Sequence, residues 1–159
     1  MLQPATTSLF QAATSTFESL ALLFPEPQSA EGAEFIPLAA SFSVAYHGAG
    51  SGRLVVGVTA GVLPALAGNM LGSSSAPDQQ LQRDALGELV NVVTGNVLPL
   101  INGPAAVFRL DAPIPAGDEP FRRRHGETQV AITRLHMDEG EAILALFTED
   151  ATTPQAALA

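Results

Sequence analysis

Residues 84–95 read Asp84-Ala-Leu-Gly-Glu-Leu-Val-Asn-Val-Val-Thr-Gly95 and carry the clearest pattern in this chain. At roughly 100° per residue, an α-helix would bring four of them within roughly 40° of one line along its surface, namely Asp84, Glu88, Asn91 and Gly95. The opposite side would carry apolar side chains, namely Leu86, Leu89, Val93 and Val97. The run therefore predicts an amphipathic helix with a buried back and a polar stripe, which we define as those first four residues. A stripe that includes a glycine suits close approach by another molecule.

Patterns on both sides of this helix predict the other elements. In chain order they are a helix at 7–24, strands at 35–46 and 54–59, a short helix that ends at Gly72, the helix of the polar stripe, and strands at 105–110, 128–137 and 141–148. Linkers are predicted at 25–33 and 72–78, and a loop at 111–127. Pro25 is expected to stop the first helix, Asp78 to cap the stripe helix, and Gly103-Pro104 to end it. The fold class is α+β, a largely antiparallel sheet with the two long helices packed on one face.

The composition restricts the kinds of function. The net charge is −9, and all 7 basic residues are arginine, which argues against nucleic acid and against an anionic membrane as partners. The chain has no cysteine, which excludes disulfides and thiol chemistry. Its length of 159 residues predicts a single domain over 1–150, followed by a flexible tail at 151–159.

One uncharged stretch, residues 54–77, is long enough to span a membrane. Glycines, Pro64 and a serine run interrupt it, so a buried strand and a short helix explain it better. No basic residue precedes Arg53, unlike the start of a signal peptide. We therefore expect no membrane segment and a cytoplasmic location.

The polar stripe resembles the signature of the CheC/CheX/FliY chemotaxis phosphatases, which is an acid or Ser, x3, Glu, x2, Asn, x3, Gly. All four positions match. The order of a strand at Gly57–Thr59, a short helix ending Asn69-Met-Leu-Gly72, a linker and then the stripe helix resembles the CheX branch in particular. The resemblance covers about Thr7 to Asp150 and implies the CheC-like fold.

A weak internal echo predicts pseudo-duplicated halves. Thr14, Glu18 and Ala21 lie 70 positions before the first three residues of the polar stripe. In relatives with two active motifs, both helices carry the Glu and the Asn. Here Ala21 replaces the amide and Pro25 stands where the glycine would be. One competent site is therefore expected, as in the CheX branch.

The resemblance implies hydrolysis of the aspartyl phosphate on a CheY-like response regulator. Such a regulator brings its own phospho-aspartate, Mg²⁺ and lysine, so neither a metal ligand nor a cofactor is expected from this chain. Asn91 would be catalytic and orient the attacking water, because an amide both donates and accepts without carrying charge. Glu88, the second catalytic residue, would pair with the regulator's lysine. Asp84, Gly87 and Gly95 would contact the phosphorylated receiver domain.

The resemblance also implies a homodimer that pairs through its sheets and leaves the stripe helix free. The predicted strand at 105–110 fits such pairing, because Arg109 is its only charge and an open strand edge needs charge or a partner to protect it.

Three other interpretations remain open. In the first, the stripe is a solvated face without function. In the second, the chain is an inactive structural or adaptor module resembling the FliM middle domain, or a module that only binds receivers. In the third, it is an unrelated acidic binding domain. The last would be favoured by a stripe helix that is buried on all sides. The remaining polar groups predict no site: His47, His125 and His136 lack metal-ligand spacing, and the arginines at 122–124 are expected to be a solvated run.

Overall fold

The computed structural model describes residues 4–72 and 77–150, and in these ranges it contains three helices and a seven-stranded antiparallel sheet. The predicted tail at 151–159 and part of the predicted linker at 72–78 lie outside the described residues. In chain order the elements are α1 (Pro4–Ala21), β1 (Glu26–Gln28), a 3-10 turn (Ala33–Phe35), β2 (Ala40–Gly48), β3 (Gly52–Val58), α2 (Val62–Leu71), α3 (Gln79–Asn102), β4 (Phe108–Leu110), β5 (Ile114–Pro115), β6 (Glu127–Met137) and β7 (Gly140–Glu149).

The order of strands supports the predicted duplication. Across the sheet it is β1-β6-β7-β3-β2-β4, and β5 pairs with β2 beside β4. If α1, β1, β2 and β3 are matched to α3, β4, β6 and β7, the order reads the same from both edges. Each half also lends its first strand to the other, since β1 pairs with β6 and β4 pairs with β2.

The main core lies between the helices and one face of the sheet, which confirms the predicted arrangement of the two long helices. The short helix α2 packs on the same face. Fully buried side chains from both layers fill this core, among them Leu9, Phe17, Leu66, Leu86, Leu89, Val93, Val97, Leu54, Val56, Leu135, Leu144 and Leu146. The other face of the sheet carries a smaller cluster, Val55, Ala145 and Phe147, against which Ala116 and Phe121 of the long loop pack.

The ends of α2 and α3 are set by local sequence, as predicted. Asp78 accepts a hydrogen bond from the N–H of Leu81 at 2.9 Å and so caps the start of α3. Gly103, at φ +90°, follows its last residue, and Gly72, at φ +65°, follows α2. Left-handed backbone of this kind is unstrained only for glycine, which explains both stops.

Helix α1 ends earlier than the sequence indicates. The predicted end at Phe24 is wrong, because Ala21 is the last helical residue and Leu22 adopts a left-handed conformation with φ 54°. The turn exposes Leu22 and Phe24 but buries Leu23, whose N–H donates to the carbonyl of Phe17 at 3.1 Å. Tertiary packing thus stops the helix before Pro25 does.

The sheet edges also differ from prediction. The expected linker at 25–33 contains β1, the loop at 111–127 contains β5, the strand expected at 105–110 begins only at Phe108, and residues 35–39 precede β2 without joining it. Edge strands exist through hydrogen bonds to distant residues, such as those of β1 with Arg134–His136, and periodicity along the chain does not report such pairing.

None of the helices in the described ranges combines the length and the apolar character needed to cross a bilayer.

Candidate functional site

The polar stripe lies on the outer side of α3. Asp84, Glu88 and Gly95 are exposed and Asn91 is half-buried. The back of the same helix is buried along most of its length, at Ala85, Leu86, Leu89, Val90, Val93, Val97 and Leu98. Each fully buried Leu or Val contributes about 1.5–3 kcal/mol, so the stripe is carried on a firmly anchored helix. A helix buried on all sides would have favoured an unrelated acidic binding domain, and α3 is not buried in that way.

The predicted catalytic side chains, Glu88 and Asn91, differ from Asp84 in their contacts with the part of the chain that the structure describes. Asp84 Oδ1 accepts a hydrogen bond from Gln80 Nε2 at 2.9 Å. Within the described residues, neither Glu88 nor Asn91 makes a side-chain hydrogen bond or an ion pair. Because they are three residues apart on one helix, they face the same side and both can meet one partner molecule.

A segment that the sequence did not single out borders the stripe. Residues 110–113 leave the edge of the sheet after β4 and run beside α3. A β-carbon placed on Gly95 would lie 3.9 Å from Leu110 Cδ1, and one on Gly87 would lie 3.2 Å from Pro113 Cγ. We call Leu110–Pro113 the flanking segment. A small residue at 87 was the only sequence signal that something packs closely there.

The flanking segment is fastened to strand β2. The N–H of Asp111 donates to the carbonyl of Ala45 at 2.9 Å. The Asp111 carboxylate lies 2.9 Å from Nε2 of His47, so one residue makes both a backbone and a side-chain contact with β2. His47, which the sequence left without a role, therefore helps to hold the segment that borders the stripe.

Gly87 is not placed as a partner contact would be. It is buried, and Pro113 occupies the space above it. Its missing side chain is explained by packing within the chain, so this placement does not support the predicted contact of Gly87 with a partner.

Gly95 lies on the exposed side of α3, and its predicted contact with a partner stays a prediction. It is exposed, and a methyl group there would meet only Leu110, at an ordinary contact distance. Pro99, four residues further along the helix, has no N–H. The carbonyl of Gly95 thus lacks the usual i+4 hydrogen bond.

The corresponding stripe on α1 is incomplete in space as well as in sequence. Glu18 is exposed, but Ala21 is fully buried at the end of the helix, and its carbonyl accepts a hydrogen bond from Asn69 Nδ2 at 2.8 Å. The position that would carry a second amide therefore faces the protein interior.

A buried ion pair lies on the opposite face of the sheet. Arg53 Nε donates to Glu127 Oε2 at 2.8 Å, and the guanidinium lies 4.3 Å from the ring centre of Phe147. Burial alone would raise the pKa of Glu127, but hydrogen bonds from Arg53 and the N–H of Arg124 outweigh it, so this pKa is lowered. Arg53 also donates to the carbonyl of Arg122 at 3.0 Å. The arginines at 122–124 are exposed, as expected for a solvated run, while the backbone groups of Arg122 and Arg124 help to fix the long loop.

The described residues include no group of three or more His, Asp or Glu side chains that could hold a metal ion. A groove of about 700 Å³ opens between residues 33–42 and 115–122 and reaches α3 at Arg83. No residue of the polar stripe lines it. The polar stripe thus lies on the outer surface of α3 and outside this groove.

The sequence matches one known family model. The family model described as "Chemotaxis phosphatase CheX" matches residues 40–135, a range that contains the polar stripe and the flanking segment. No protein with curated annotation matches the chain.

Solved structures show the same fold. CheX from Vibrio vulnificus matches with a TM-score of 0.73 and 19% identity, over 91% of this chain and 96% of that one. A CheX–CheY–BeF3–Mg²⁺ complex from Borrelia burgdorferi matches with a TM-score of 0.62 and 16% identity, over 91% and 97%. The FliM middle domain from H. pylori matches with a TM-score of 0.51 and 11% identity, over 94% of both chains.

The family model covers more than half of the chain, and the helices and antiparallel sheet agree with the CheC-like fold of the matched structures. The protein therefore belongs to the CheX family of chemotaxis phosphatases.

Proposed function

We propose that this protein hydrolyses the aspartyl phosphate of a CheY-like receiver domain, with Asn91 and Glu88 as its catalytic residues. One observation carries the proposal: both side chains stand on the outer side of an anchored helix, and no other group in the described residues engages them. A surface with a free amide and a free carboxylate on a rigid support can meet a partner's active site directly.

The chemistry needs little from this chain. Water attacks the phosphorus of the acyl phosphate, the bond between phosphorus and the aspartyl oxygen breaks, and inorganic phosphate and the free carboxylate result. The receiver's own Mg²⁺ and lysine would stabilise charge on the transferring group. What remains is to hold the water in line with the breaking bond. Asn91 can accept a hydrogen bond from that water and donate one to an oxygen nearby, without adding charge.

Glu88 would act through the partner's lysine. A carboxylate one turn from Asn91 can form a charge-assisted hydrogen bond with an ammonium group and so fix how the helix enters the receiver's site. Asp84 and Gly95 would complete the contact surface on either side. The Borrelia complex supports a CheY-like partner of this kind. A cytoplasmic site of action is part of the proposal.

An adaptor function is the second candidate, because the FliM middle domain shares the fold. An assembly surface has no need for a free amide and a free carboxylate at this spacing, so the phosphatase is the better explanation of α3.

The test is phosphate release from phosphorylated receivers of the same genome, with and without this protein. Asn91→Ala should reduce the rate about 100-fold or more, the scale expected when a positioned group is lost. Binding to a receiver held by beryllofluoride and Mg²⁺ should remain. Asn96→Ala is the matched control, because that amide is on the same helix but donates to Thr16 on α1 at 3.1 Å.

An Asn91→Ala variant that works at the wild-type rate would show that the proposed role is wrong. Equal losses in both variants would point to damage of the helix instead. Wild-type protein that binds receivers without hydrolysing them would favour the adaptor.

A further inference from the structure

Asn91 lies midway between two glycines on one row of α3. Residues four apart on a helix are neighbours on its surface, and Gly87, Asn91 and Gly95 follow this spacing. No side chain on the row therefore touches Asn91 from above or below. Asn91 is nevertheless half-buried, whereas Glu88 beside it is exposed.

The flanking segment fills the space above Gly87 and comes within contact distance of Gly95, which stays exposed. Pro113 covers Gly87 and Leu110 approaches Gly95, so the segment passes both positions that bracket Asn91. Its attachment to β2 through Asp111 holds it in place. On the helical wheel Gly87 lies roughly 40° from Asn91 on the side away from Glu88, so Pro113 borders the amide on the side opposite the carboxylate. Gly95 lies roughly 40° from Asn91 on the other side, where Leu110 approaches it.

We propose that Leu110 and Pro113 are positioning residues for Asn91: they form a wall that limits the orientations of its side chain. This rests on the proposed function, in which the Asn91 amide aligns a water molecule. No hydrogen bond within the described residues fixes that amide, so steric restriction is the means left to orient it before a receiver docks. A side chain with fewer accessible rotamers loses less entropy on entering the reactive geometry.

The contact between Gly87 and Pro113 allows the wall to be tested by enlarging one residue and shrinking the other. A methyl group at this position would lie 3.2 Å from Pro113 Cγ, which is closer than ordinary van der Waals contact, and 3.4 Å from its Cβ. Gly87→Ala should therefore push the wall outward by a few tenths of an ångström. Removing the proline ring in the double variant with Pro113→Ala should relieve this pressure.

The first experiment measures kcat and KM on a phosphorylated receiver. Gly87→Ala should lower kcat about tenfold with KM nearly unchanged, since small displacements of a positioned group are costly. Pro113→Ala should also lower kcat. The double variant should be no worse than Gly87→Ala, because the two changes act on one contact. Multiplied losses in the double variant would overturn the proposal.

The second readout does not depend on activity. In ¹⁵N NMR spectra the side-chain amide of Asn91 should show one ordered environment in the wild type and greater mobility in Leu110→Ala and Pro113→Ala. An unchanged order parameter in both variants would overturn the wall even if the protein proves inactive. If Asn91→Ala is as active as the wild type, the proposed function is refuted. The NMR result then tests by itself whether Leu110 and Pro113 restrict the Asn91 side chain.

Discussion

Gly95→Ala should make this protein more stable and at the same time a poorer phosphatase. The new β-carbon would meet only Leu110 Cδ1, at 3.9 Å, so it fits without strain. Gly95 is in the interior of α3 and has an ordinary helical environment for an alanine. Alanine is favoured over glycine there by about 0.5–1 kcal/mol, because it loses less backbone entropy on folding. For a domain of this size that corresponds to a rise in Tm of about 1–4 °C.

The expected loss of activity arises in the complex with the receiver. If the receiver's backbone packs against Gly95, the added methyl group overfills a tight contact, which typically costs about 1–3 kcal/mol. At about 1.4 kcal/mol per tenfold, kcat/KM should fall about 5- to 150-fold.

The assay combines thermal unfolding with steady-state phosphate release from a phosphorylated receiver. Higher Tm together with unchanged kcat/KM would refute the idea that the partner approaches at Gly95. A lower Tm would refute the structural reasoning, because it would mean that the position does not have the space described. Asn96→Ala, on the next residue but facing α1, shows what a change outside the contact surface does.

Three further predictions concern charge and assembly. Glu88→Gln should weaken binding to a phosphorylated receiver by about 0.5–1 kcal/mol at low salt, and the difference should shrink towards 1 M salt because salt screens the ion pair. The control variant, Glu18→Gln, should bind as the wild type does. Equal affinities of Glu88→Gln and wild type at low salt would show that Glu88 is only a solvated residue. Because the pKa of Glu127 is lowered in the folded state, its contribution to the free energy of unfolding is complete above the ordinary glutamate pKa near 4.5 and is lost as the pH falls through the lower folded value. Denaturant titrations from pH 6 to 3 should show this loss of unfolding free energy. Glu127→Ala should make the unfolding free energy less dependent on pH, and should lower it by about 3 kcal/mol or more at neutral pH because Arg53 is left buried without its partner. A pH dependence in the variant parallel to that of the wild type would contradict the assignment. Finally, β1 pairs with the outer edge of β6 only at Arg134–His136, so the remaining edge of β6 is open to pairing with a second chain. Light scattering should therefore give twice the 16.4 kDa of one chain. A mass of 16.4 kDa at micromolar concentration would exclude the dimer.

Where a structural feature depends on neighbouring residues, the sequence was sufficient. The amphipathic period of 84–97 set the exposed stripe and the buried back of α3, Asp78 and Gly103 set its ends, and Gly72 set the end of α2. These are effects of helical geometry, capping and left-handed backbone, which act over four residues or fewer. The hairpin of β6 and β7 around Asp138–Gly140 was predictable for the same reason.

Features formed by distant residues were decided only in the tertiary structure. Strands β1 and β5 are held by partners far along the chain, and α1 stops at Ala21 because Leu23 turns into the core. The same holds for the wall beside Asn91. Nothing within 84–95 indicates that Pro113 covers Gly87, since that contact exists only after β4 has paired with β2. The sequence thus determined which side chains the helix presents, and the pairing of the sheet determined what stands beside them.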